Sequence, residues 1–127
     1  MIEVTEREIE LSEVLAHLQT RGCGSVVVHL GVVKPVVEGK KTRGIRLEQE
    51  GDLEAELRKI EEGVRARFPV IDIVLVRRLG ELLVGETILA VAVSAETKEA
   101  AFACCQEAVN ILKHKRGLKK SELFESD

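Results

Sequence analysis

Apolar residues recur along this chain in two rhythms, short β-branched runs and positions three or four apart. The first run, over 2–5, is short enough for a strand. Leu11, Leu15 and Leu18 then mark one face of a helix, with Ser12 as N-cap and Gly22 and Gly24 as the stop. Residues 25–30, SVVVHL, read as a buried strand. The basic stretch 34–43 holds Pro35 and Gly39 and lacks apolar anchors, so a mobile loop is expected there. A strand over 44–50 follows, with Ile45 and Leu47 facing inward. Leu53, Leu57, Ile60, Val64 and Phe68 give the clearest helix, which Pro69 ends. Two further strands, 71–78 and 87–93, are joined through 79–86, where Gly80 and Gly85 suit tight turns or a bulge. A third helix runs over 97–115 with Ala101, Cys104, Ala108 and Ile111 on its apolar face; Gly117 breaks it and a short tail follows. The sum is an α+β or α/β fold with a mixed sheet, in one domain over 1–127.

Composition narrows the function classes. A chain of 127 residues buries roughly two-thirds of its unfolded surface. It is 45% hydrophobic and 32% charged, which suits a soluble globular protein. Tyr and Trp are absent and Phe occurs three times, so the core is aliphatic and stacking platforms for single-stranded nucleic acid are lacking. A net charge of −3 gives no general attraction to nucleic acid or to an anionic membrane. No apolar run approaches the ~20 residues of a membrane helix, and the acidic start Met1-Ile2-Glu3 is unlike a targeting peptide. Three cysteines without framework spacing point to a reducing cytoplasm.

Conventional catalytic motifs are missing. Cys104 and Cys105 are neighbours on a helix and point about 100° apart, so they cannot chelate one metal as a CxxC pair does. With Cys23 they read as small residues filling space, a redox or persulfide role being the alternative. His17, His29 and His114 have no metal spacing, and no GxSxG, GxGxxG or P-loop exists. No metal or cofactor is implied. Charge distribution says more. Five Glu and one Arg lie in the first thirteen residues, whereas 113–120 carries five Lys/Arg and no acid. A second basic group comprises Lys34, Lys40, Lys41, Arg43 and Arg46. These are either solvated ends or a joint pocket for a phosphate or carboxylate.

Several segments, in order, resemble the catalytic (large) subunit family of molybdopterin synthase, over nearly the whole chain. They are SVVVHLGVVK over 25–34, Arg78-Leu79-Gly80-Glu81-Leu82 with Val84-Gly85-Glu86, Val91-Ala92-Val93-Ser94 followed by Ala101-Phe102, and Leu112-Lys113 followed by Lys120 and Glu122. The resemblance implies an α/β hammerhead-like α+β fold with three helices and a mixed, mainly antiparallel sheet. It also implies transfer of sulfur to a cyclic pyranopterin monophosphate, forming the dithiolene of molybdopterin. The sulfur comes from the C-terminal thiocarboxylate of a small ubiquitin-like carrier ending in Gly-Gly. The expected assembly is a central homodimer with a carrier at each outer end, a heterotetramer. The consecutive apolar strands 71–76 and 88–93 also favour a dimer, because they expose much sheet for a small monomer.

Because the nucleophilic sulfur belongs to the carrier, the chain needs no cysteine of its own for this chemistry. It needs cations for a thiocarboxylate and a phosphate, and a proton donor. By position, the resemblance makes Lys113 and Lys120 catalytic: Lys113 contacts the tail carbonyl or acts as acid/base, and Lys120 stabilises developing negative charge. Lys34, Thr97, Lys98 and Glu122 would bind substrate. The chain departs from the family where Lys34 replaces an arginine, Thr97 and Lys98 replace His-Arg, Lys119 replaces an aromatic residue and Gly117 a proline. Those departures leave two alternatives, a non-catalytic relative that keeps the dimer and carrier surface, or a sulfurtransferase for another anionic acceptor.

Overall fold

The computed structural model describes residues 1–113 and 118–125. It contains, in chain order, β1 (Ile2–Thr5), α1 (Leu11–His17), β2 (Ser25–Val32), β3 (Val36–Val37), β4 (Lys40–Gln49), α2 (Leu53–Arg67), β5 (Val70–Arg78), β6 (Gly80–Leu83), β7 (Thr87–Ala95), α3 (Lys98–Lys113) and β8 (Leu118–Phe124). The α+β expectation of three helices on a mixed, mainly antiparallel sheet holds. The Gly117 break and the end of the third helix at 115 lie outside the described residues.

Two sheets share the strands. The larger has the order β1-β5-β7-β2, parallel between β1 and β5 and antiparallel elsewhere. Its central strands are covered on both faces. Ile73, Leu75, Val91 and Val93 pack with Leu53, Leu57, Ile60 and Val64 of α2 and with Ala101, Cys104, Ala108 and Leu112 of α3. On the other face, Val74, Val76, Ala90 and Ala92 receive Val14 and Leu18. The apolar strands that argued for a dimer are therefore covered by the chain itself. Within the large sheet, exposed large apolar side chains lie on the edge strand β2, at Val26, Leu30 and Val32.

The smaller sheet, β3-β4-β6 with β8 on the other side of β4, departs most from the sequence reading. The expected mobile loop is a hairpin. Val36 and Val37 pair with Lys41 and Lys40, and Glu38 (φ 51°) and Gly39 (φ 77°) form a two-residue turn with both φ positive, the type I′ geometry that matches strand twist. Within 79–86 lies a strand, β6, rather than turns alone. The short tail contains β8. The first helix also differs. It begins at Leu11 after Glu10, whose side chain makes no capping bond, so Ser12 is not the cap. Leu11 and Leu15 are exposed while Val14 and Leu18, four apart, face β5 and β7. In α3, Leu112 is buried and Ile111 only half-buried.

Candidate functional site

A cavity of about 360 Å³ opens where the two sheets meet, lined by Val32, Val33, Lys34, Val36, Ile45, Lys120 and Glu122 among others. Two of its lining residues, Val33 and Ile45, belong to the third apolar cluster, which continues beneath them in Leu47 and Leu82. Strand parity explains which β8 side chains enter. Ile45 pairs with Glu122 and Leu47 with Lys120, and directly paired residues share a face. Ile45 and Leu47 are buried, so Lys120 and Glu122 lie on the inner face, and Ser121 and Lys119 lie on the outer one beside Arg46 and Glu48.

Lys120 Nζ lies 3.2 Å from Glu122 Oε1; the side chains are 55% and 19% exposed. The other carboxylate oxygen, Oε2, is buried and has no hydrogen-bond partner among the described residues. Lys34 is exposed, two residues beyond the end of β2. Its backbone is fixed by a clamp. Val33 N–H donates to Glu86 O and Gly85 N–H donates to Val33 O, each at 3.0 Å. The Glu86 side chain accepts from Leu83 N at 2.7 Å and pairs at 3.4 Å with Arg78, which is 12% exposed. The Arg78 and Val84-Gly85-Glu86 segment thus ties the end of β5 to the turn that holds Lys34.

The remaining site residues lie elsewhere. Thr97 Oγ1 accepts from Ala100 N at 3.2 Å and so caps α3, and Lys98 is exposed on its first turn. Lys113 is exposed at the other end of the 16-residue helix, roughly 22 Å away at 1.5 Å per residue. Neither end lines the cavity. The cavity lining thus gathers Lys34, Lys120 and Glu122, while Thr97, Lys98 and Lys113 are not part of it. Sequence reasoning missed the hairpin residues Val36 and Val37 and the apolar residues Val33 and Ile88 that complete the lining. The one signal for them was the Glu38-Gly39 turn between apolar and basic pairs.

The cysteines stand apart. Cys104 and Cys105 are buried, and burial pushes both thiols up to about 11. Among the described residues no group of three or more His, Cys, Asp or Glu could hold a metal ion, and no helix is long and apolar enough to cross a membrane.

The chain's relatives agree with this architecture. The model of the MoaE protein family matches residues 4–115. The molybdopterin synthase catalytic subunit of Rattus norvegicus is 33% identical over 128 aligned positions, covering 98% of this chain and 63% of the relative. This chain therefore spans under two-thirds of that relative's length. Molybdopterin synthase from Staphylococcus aureus has a similar fold, with TM-score 0.90 at 23% identity over 98% of this chain and 92% of the other. A complex of subunits 1 and 2 of molybdopterin-converting factor from Helicobacter pylori includes a chain of the same fold, with TM-score 0.77 at 15% identity, covering 99% and 86%. With a match across nearly its whole length and a fold to correspond, the chain belongs to the MoaE protein family.

Proposed function

We propose that this chain catalyses sulfur transfer from the C-terminal thiocarboxylate of a small ubiquitin-like carrier to cyclic pyranopterin monophosphate, as the catalytic subunit of a molybdopterin synthase. The observation that carries this reading is the cavity itself. In a chain of this family it gathers Lys34, Lys120 and Glu122 over an apolar floor. Two ammonium groups suit the phosphate and the thiocarboxylate, and they act more strongly beside a low-dielectric wall than in open water. Lys120 stabilises charge that develops as sulfur leaves the carrier's carbonyl. Glu122 holds Lys120 and offers a second oxygen to substrate. Lys34 binds the phosphate as a point charge, without an arginine's fork. Lys113 meets the carrier tail. The reaction takes place in the cytoplasm.

The working unit is a homodimer with a carrier on each outer end. Residues 97 and 98 follow β7 beyond the Ser25 end of β2, and Lys34 follows the Val32 end. Antiparallel pairing of two β2 edges about a two-fold axis would bring Thr97 and Lys98 of one copy toward Lys34 of the other. A carrier partner also accords with the Helicobacter pylori relative, which is a complex of two subunits.

The test is transfer from a thiocarboxylated carrier to the pyranopterin with this chain as sole catalyst. Lys120→Ala should lower the rate by ~10²–10³, the usual cost of one preorganised charge contact. Lys119→Ala, on the outer face, should change it by less than about twofold. An inactive wild type would favour the non-catalytic relative, and equal effects of the two substitutions would move the chemistry to another site.

A further inference from the structure

The strand that carries Lys120 and Glu122 pairs, among the described residues, with one strand, β4, and its pairing contains an irregularity. At the hairpin end Thr42 is opposite Phe124. From Gly44 onward the partner is one residue out of step, Gly44 opposite Leu123 and Ile45 opposite Glu122, so Arg43 is an extra residue. If the hairpin-end register continued along the strand, Ile45 would meet Ser121 and Leu47 would meet Lys119. Side chains alternate faces, so Lys120 and Glu122 would then point to solvent, and the cavity would receive a lysine and a serine with no carboxylate.

We propose that Thr42 is a positioning residue, whose hydroxyl holds this bulge and so turns Lys120 and Glu122 into the cavity. Thr42 is 3% exposed. Its single hydroxyl proton is shared between Gly44 O at 2.7 Å and Leu123 O at 2.9 Å, and its oxygen accepts from Gly44 N at 3.1 Å. The hydroxyl therefore joins both sides of the register change. The bulge backbone is anchored around it, with Thr42 N donating to Pro35 O at 3.0 Å and Val84 N donating to Arg43 O at 3.3 Å. Gly44 must lack a side chain, because a Cβ there would collide with the Leu82 carbonyl. Bulges beside functional sites commonly re-aim a side chain.

The functional half of this inference rests on the proposal that Lys120 and Glu122 act in the cavity; the register half does not. Thr42→Val keeps the shape and removes the hydroxyl, and Thr42→Ser keeps the hydroxyl. The Val variant should retain its far-UV spectrum and the protection of β5 and β7 amides, while β8 amides exchange about tenfold faster or more. Cross-strand contacts from Ile45 to Glu122 and from Leu47 to Lys120 should weaken in its NMR spectra. Its kcat for sulfur transfer should fall about tenfold or more with carrier Kd unchanged, and Thr42→Ser should restore both. If Thr42→Val does not fold, Thr42→Ala replaces it in the same comparison; unfolding of both would overturn a local role. Wild-type exchange and contacts on β8 in the Val variant would also overturn it, as would a Ser variant no better than Val. A wild type inactive toward the pyranopterin but with β8 behaving as described would sink only the reading of the cavity.

Discussion

Thiols are the strongest soft nucleophiles a chain can offer, yet Cys104 and Cys105 lie on the buried side of α3 against the large sheet, with Cys105 Sγ 3.9 Å from Val91 O. Burial raises both thiols to about 11, and the thiolate is the reactive form. In the native chain near pH 8, iodoacetamide should label half-buried Cys23 and leave the other two intact until denaturant is added. Mass spectrometry of tryptic peptides reads this directly, and native labelling of Cys104 or Cys105 would contradict the packing role. The space-filling reading of this pair rested on the usual burial of free cysteine, and both side chains are buried. The cavity lysine Lys120 was legible differently. Nothing in composition or spacing separated Lys120 from Lys119; the resemblance did so, and strand parity supplies the physical reason.

At the scale of elements, α2 is fastened more firmly than its apolar stripe requires. Asp72 on β5 receives Arg65 of α2 at 2.7 Å and the backbone N–H groups of Gln19 at 2.8 Å and Ile73 at 2.9 Å. Burial alone would raise this carboxyl, but these donors hold it below the ordinary carboxylate range. A carboxyl depressed in the folded state adds stability above its unfolded pKa, and that stability is lost as pH falls through the folded value. Asp72→Asn should therefore cost about 1–2 kcal/mol at neutral pH, seen as a Tm several degrees lower. The gap should close progressively below about pH 4; a gap independent of pH would assign the effect to packing instead. Elements with a continuous apolar stripe or run, such as α2 and β5, were readable from the sequence pattern. β8 was not, because its inward positions are Lys120 and Glu122, which face a cavity rather than a core. The hydrophobic signal of a strand disappears where its inner face carries charged side chains into a cavity. The hairpin 36–41 was hidden for a related reason, since its two-residue β3 exists only through pairing with β4.

At the scale of the whole molecule, the open edge is the outstanding feature. β2 is the last strand of the large sheet and carries neither Lys nor Pro to blunt it. Beside it, Phe102 of α3 is 61% exposed over a groove lined by Val27, Val28, His29, Gln106, Val109 and Asn110 with no Asp, Glu, Lys or Arg. A patch that meets its own copy must avoid like charges, and this one has none. Light scattering at micromolar concentration should give a dimeric mass. Leu30→Lys with Phe102→Glu should give a monomer with an unchanged far-UV spectrum, and a monomeric wild type or a dimeric variant would exclude this edge as the interface.

The pairing of β4 with β8 has a further consequence, in time rather than in space. The two strands are separated by roughly 70 residues, and a ribosome adding ~5–20 residues per second needs about 4–14 s to synthesise that interval. During it the flank of β4 that β8 will occupy is open, on a strand whose inward side chains are Ile45 and Leu47. Lys40, Lys41, Arg43 and Arg46 stand on the same strand as charges that discourage a neighbouring nascent chain from pairing there first. Cations placed for solubility during synthesis would thus remain on the strand that β8 later covers.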